Sequence, residues 1–142
     1  PSELARKAIT ELRAALKYEV IAIPYQFDDM SYCDKMVSSG TIEFLDLINN
    51  AKCVLTDSFH GTAFSINLHT PFYVFSRAYG TAHSQNSRVE SILKKVKMQA
   101  RFEPKDVLVQ YDQIDFAYSE SVLIEERKNA REYISNALKT IE

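Results

Sequence analysis

The chain has 142 residues, of which 46% are hydrophobic and 25% charged. That is one ordinary globular domain, large enough to bury a core without disulfide or metal staples. Seventeen basic against nineteen acidic residues leave a formal net charge of −2, which excludes a general nucleic-acid coat or a basic membrane-surface protein, both of which need a cationic excess. No apolar run approaches the roughly 20 residues of a membrane helix, and three glycines and four prolines exclude a collagen-like or low-complexity chain.

The first predicted element is an amphipathic helix from Ser2 to Lys17, with Ser2 as cap and Leu4, Ala8, Leu12 and Leu16 along one face. Val20-Ile21-Ala22-Ile23, stopped by Pro24, has the form of a short buried parallel strand. From Tyr25 to Gly40 the chain is polar and reads as a loop holding at most a short helix. Ile42, Leu45 and Ile48 then mark a second helix ending near Asn49-Asn50. Cys53-Val54-Leu55 is a second strand running into Thr56-Asp57-Ser58, and His60 to Leu68 is a short buried helix. Phe72 to Phe75, introduced by Pro71, is a third strand.

A polar loop is expected from Ser76 to Asn86, closed by Ser87-Arg88-Val89-Glu90 as a capping box. Val89, Ile92, Leu93 and Val96 form the face of the helix that follows. Residues 98–118 read least clearly, with one short strand expected at Val107-Leu108-Val109. A long C-terminal helix from about Ser119 to Ile141 carries a seam of Leu123, Ala130, Ile134, Leu138 and Ile141. Strands alternating with helices predict an α/β fold: one Rossmann-like parallel sheet with helices on both faces, formed by a single domain over residues 1–142.

The two cysteines form no cluster. Cys53, in an apolar run, reads as a small buried hydrophobe, and Cys33 as a surface or half-buried thiol. Their sparseness fits a reducing cytoplasm. The chain opens at Pro1, directly ahead of a helix and with no signal sequence, which reads as a piece cut from a longer protein.

Ligands of open α/β sheets collect beyond the carboxyl ends of the strands. Three segments fall there: Pro24-Tyr25-Gln26, the run Thr56-Asp57-Ser58-Phe59-His60-Gly61-Thr62, and Ser76-Arg77. In the second, a strand passes straight into a helix, whose unpaired N–H groups and macrodipole favour an anion. Gly61 would let a ligand approach the backbone, Ser58 and Thr62 could donate to phosphate oxygens, and His60 could supply a charge or a proton. The alternative is that Asp57 or Ser58 only caps the helix and His60 is a core imidazole. Asn86-Ser87-Arg88 is the next candidate, because a guanidinium in a first helical turn opposes the dipole and gains from an anionic ligand. Asp28 and Asp29 read as solvated loop carboxylates. His69 and His83 lack zinc-ligand spacing, and no dinucleotide or P-loop signature is present. No metal is expected.

Asn50 to Ile66, then Thr70-Pro71-Phe72-Tyr73-Val74-Phe75, then Asn86-Ser87-Arg88-Val89-Glu90-Ser91 together resemble the C-terminal half of the polysaccharide pyruvyl transferase family. The likeness is strongest from about Ile42 to Leu93. It implies two Rossmann-like halves arranged as in a GT-B glycosyltransferase, with the active site between them and this chain as the C-terminal half, inactive alone. It also implies transfer of a pyruvyl group from phosphoenolpyruvate to a sugar of a cell-surface polysaccharide. No cofactor, nucleic acid or transmembrane segment is implied, and the location is cytoplasmic or at the inner face of the membrane.

By this resemblance His60 is the catalytic residue. Ser58, Gly61, Thr62, Arg88, Asn86 and Gln26 are the substrate-binding set. Many members carry an arginine two positions before the histidine, where this chain has Ser58, so Arg77, Arg88 or the absent half would have to supply that guanidinium. Two other functions remain open: a glycosyltransferase holding a nucleotide sugar at the same helix start, and a non-catalytic binding domain of the same fold.

Overall fold

The computed structural model of the protein describes residues 1–24, 31–77, 82–109 and 111–139. Helix α1 (Glu3–Leu16) starts where the Ser2 hydroxyl accepts the Ala5 N–H at 3.2 Å. It ends at Lys17, whose left-handed backbone (φ 54°) directs its N–H onto the Arg13 carbonyl at 3.0 Å. The buried stripe is Ala5, Ala8, Ile9 and Leu12, and Leu4 is exposed. Ala8 and Leu12 of the expected face are thus buried and Leu16 packs beside them, with Ala5 and Ile9 in place of Leu4.

Strand β1 (Ile21–Ala22) pairs in parallel with β2 (Lys35–Met36). The second of these falls in the stretch expected to be a loop. It is held by a polar pin: one Asp34 carboxylate oxygen accepts the Val20 N–H at 2.8 Å, and the other meets the Arg13 guanidinium. Among the residues of this pair only Ala22 is buried.

After α2 (Thr41–Asn50) the chain builds a β-α-β unit from β3 (Val54–Thr56), α3 (Phe59–Asn67) and β4 (Phe72–Val74). The strands are parallel, with Val54 opposite Phe72, Leu55 opposite Tyr73 and Thr56 opposite Val74. All three β4 side chains are buried. Successive side chains of a strand point to opposite faces, so β4 serves two cores at once. Phe72 and Val74 pack with Ile66, Val89, Leu93, Val96 and Met98, while Tyr73 and Phe75 pack with Ala5, Ala8, Leu12 and Val107. Helix α1 thus covers one face, and α3 with its neighbours covers the other.

Helix α4 (Ala82–Lys95) begins earlier than the expected cap, so Ser87 and Arg88 lie within it. The Ser-x-x-Glu pattern is locally valid. However, no glycine or proline separates Ala82 from Arg88, and nothing stops the helix from extending backwards. A 3₁₀ turn follows at Gln99–Arg101, and Phe102 makes an isolated parallel bridge to Val74.

The strand expected at Val107-Leu108-Val109 is absent. The Asp106 carboxylate takes the N–H groups of Leu108 and Val109 at 2.8 and 3.3 Å, a local side-chain bond that competes with extension. Helix α5 (Phe116–Lys139) starts behind Asp115, whose carboxylate accepts the Ala117 N–H at 2.9 Å. Its first turns pack through Phe116, Val122 and Leu123. Ala130, Ile134 and Leu138 of the expected seam are exposed, and Ile141 lies outside the described residues. In place of the single sheet expected, the described residues form a mixed α/β fold with two separate parallel strand pairs.

Candidate functional site

Because β3 and β4 are parallel, the segments that follow them, Asp57-Ser58 and Ser76-Arg77, emerge at one edge. Ser58 is the cap of α3: its backbone is extended (φ −103°, ψ 135°) and its hydroxyl accepts the His60 N–H at 3.2 Å. Its own N–H donates to Thr56 Oγ1 at 3.1 Å. The first i→i−4 bond of the helix runs from the Thr62 N–H to the Ser58 carbonyl at 3.0 Å. The N–H groups of Phe59 and Gly61 therefore lie ahead of the helical ladder, which is the arrangement that draws an anion.

Two of the expected ligand groups turn inward. The Thr62 hydroxyl donates to the Ser58 carbonyl at 2.9 Å, and the residue is 0% exposed, so neither its N–H nor its hydroxyl is offered to a ligand. Gly61 is buried, and a Cβ there would overlap Thr56 Oγ1 and sit 3.1 Å from Thr56 Cβ. The close approach that this glycine permits is that of α3 to β3, not of a ligand to the backbone.

His60 faces solvent, which removes the alternative of a core imidazole. Its ring meets Phe59 edge-on, with centroids 5.9 Å apart. Phe59, packed against the core, carries the Arg88 guanidinium over its ring at 4.6 Å. A cation over an aromatic face is held there by the ring's quadrupole. Two motifs nearly thirty residues apart thus meet at the first turn of α3. Asn86 is half-buried in α4, two residues before Arg88 and so on another face of that helix. Gln26, Asp28 and Asp29 lie outside the described residues.

On the β4 side, Arg77 Nε donates to the Asp57 carbonyl at 3.3 Å and lies 3.7 Å from Asp57 Oδ1. Asp57, Ser58, Ser76 and Arg77 form part of the wall of a cavity of about 940 Å³ that extends between α1, β1 and β3. His60 and Arg88 are not in its wall. The position of Arg77 at a strand end is legible in sequence; its tie to Asp57 depends on the register of β3 and β4 and has no sequence signal.

Arg101, in the stretch least readable from sequence, is buried with its guanidinium 5.0 Å over the Tyr73 ring and Nη2 donating to the Gln113 carbonyl at 2.9 Å. Burial pushes the nearby Cys53 thiol up to about 12, with Arg101 opposing, so it stays a neutral apolar filler. His69 belongs to a clasp rather than a metal site: its Nε2 lies 3.2 Å from Glu120, which also receives Arg127 at 2.9 Å. These bonds, with Arg127 the larger cause, hold the Glu120 carboxyl below its usual range. Among the described residues there is no group of three or more His, Cys, Asp or Glu placed to hold a metal ion. No described helix is long and apolar enough to cross a membrane.

Comparison with known proteins finds similarity in sequence alone. General stress protein 30 of Bacillus subtilis (strain 168) is 39% identical over 66 residues, which is 46% of this chain and 19% of that protein's length. No solved structure matches the chain. The sequence model of the polysaccharide pyruvyl transferase family matches residues 2–79, from α1 through β4 to Arg77 and beyond, and so includes the whole β3–α3–β4 junction. The chain belongs to the polysaccharide pyruvyl transferase family.

Proposed function

We propose that the chain is the donor-binding part of an enzyme that moves a pyruvyl group from phosphoenolpyruvate to a sugar of a cell-surface polysaccharide. The observation that carries this reading is the first turn of α3, where solvent-facing His60 and Arg88 flank Phe59 at the positive end of the helix dipole. Phosphoenolpyruvate carries a phosphate and a carboxylate, and cations and oriented N–H groups are what bind both.

The transfer requires a proton on the donor's methylene carbon and attack by a sugar hydroxyl on C2, with that hydroxyl losing its proton. A second hydroxyl then displaces phosphate to close the ketal. His60 either gives the proton to the methylene carbon or stabilises the departing phosphate, and Arg88 holds one anionic group. Ser58 orients the helix start rather than binding the donor directly, since its hydroxyl is spent on the His60 N–H. The acceptor and the other wall of the cleft come from a second, N-terminal half in a GT-B-like pairing. The two free cysteines fit a cytoplasmic setting.

The test is turnover of the complete enzyme with phosphoenolpyruvate. His60→Ala is expected to lower kcat at least about a hundredfold, the usual scale for a lost general acid. Near-wild-type turnover in that variant sinks the assignment. Turnover with a nucleotide sugar in place of phosphoenolpyruvate would replace pyruvyl transfer with glycosyl transfer.

A further inference from the structure

Building on the phosphoenolpyruvate reading, we propose that Arg77 is a second anion-gripping residue of this site, reaching the ligand from the end of β4. A guanidinium has five N–H donors in a planar fork. In Arg77 the Nε edge is spent on the Asp57 carbonyl, and among the described residues its two Nη groups meet no acceptor. The side chain is only 26% exposed. No buried side-chain nitrogen or oxygen among the described residues lacks a partner, so the Nη groups open onto accessible space. Arg77 also borders the cavity that Ser58 and Ser76 line.

The tether makes the difference from an ordinary surface arginine. A bond at Nε fixes the plane of the fork and leaves its Nη groups to face a carboxylate or phosphate. Asp57 holds the Nε edge twice, through its carbonyl and through Oδ1, 3.7 Å from Nε. Asp57 and Phe59 are the two neighbours of Ser58. One anchors Arg77 and the other carries Arg88, so a guanidinium is tied to the residue on each side of the capping Ser58. A ligand with two anionic groups uses both, and one with a single anionic group does not.

The experiment measures affinities of the full chain for phosphoenolpyruvate, inorganic phosphate and a uridine diphosphate sugar, in wild type, Arg77→Gln and Arg77→Lys. Arg77→Gln is expected to weaken phosphoenolpyruvate at least about tenfold, the scale of a lost charge-assisted hydrogen bond, and inorganic phosphate by less. Arg77→Lys keeps the charge without the tethered fork and is expected to recover only part of the loss. It also serves as the test if Arg77→Gln does not fold. Affinity within twofold of wild type in whichever of the two variants folds overturns the role of Arg77 and leaves the donor assignment standing. Wild-type binding of the nucleotide sugar but not of phosphoenolpyruvate, lost in Arg77→Gln, overturns the donor assignment and sustains Arg77. Binding of none of the three by wild type overturns both.

Discussion

The two parallel strand pairs have the same backbone chemistry and opposite surroundings. In β3–β4 each residue of β4 is buried, and the pair is flanked by α1 on one face and α3 on the other. In β1–β2 the side chains of Ile21, Lys35 and Met36 are exposed, and the pair depends on the Asp34 carboxylate bonding the Val20 N–H and Arg13. Ladder hydrogen bonds contribute little net stability in water, because folding only exchanges them for bonds to solvent. Burial of apolar area separates the two, at about 25 cal/mol per Å². The candidate site lies beyond the strand ends of the pair that has it.

The largest effect should follow from Phe72→Ala, which empties a fully buried position in β4 and is expected to cost about 3–5 kcal/mol in chemical denaturation. A loss below about 1 kcal/mol would mean that β4 is not the anchor of the fold. Next is Gly61→Ala, whose methyl would collide with a Thr56 side chain already fixed by the Ser58 N–H. About 1–3 kcal/mol is expected, and Thr56→Ser in the same background, by removing a methyl in contact, should return part of it.

Cys53 sharpens the comparison through pH. Its folded value is raised from 9.0 to about 12, so above pH 9 the unfolded chain loses a proton that the folded chain keeps. Its contribution is whole below pH 9 and is lost as pH rises toward the folded value, with a slope approaching about 1.4 kcal/mol per pH unit. Denaturation midpoints at pH 8, 9 and 10 should fall in that order, and Cys53→Ala should flatten the trend. The smallest effect is expected for Ile21→Thr in the exposed pair, within about 0.5 kcal/mol. A loss as large as that of Phe72→Ala would erase the distinction drawn between the pairs.

Legibility followed the source of the stabilisation. Helices α1 and α2 and strands β3 and β4 are written in apolar spacing, and their bounds differ from expectation by a residue or two. Strand β2 has no such signal, because Asp34 holds it rather than apolar packing. Val107-Leu108-Val109 carries the opposite fault: the residues favour a strand, but Asp106 takes their N–H groups first. The apolar seam of α5 runs along the whole helix, while among the described residues apolar packing on the core cluster ends at Leu123. At the site, the strand-to-helix junction and His60 can be read from residue types alone. The burial of Thr62, the packing reason for Gly61 and the meeting of Arg88 with Phe59 cannot, since each depends on which element lies alongside.

A strand that fills two cores with alternate side chains leaves no cheap way to open either one. Lifting α1 away uncovers Tyr73 and Phe75, and peeling α3 and α4 away uncovers Phe72 and Val74. Each partial opening strips half of the same three-residue strand and its neighbour. Local and global unfolding then become nearly the same event for β4, and its amides should be among the last in the chain to exchange with deuterated water. Arg77 follows that strand by three residues, so its position is set by the slowest-moving part of the molecule.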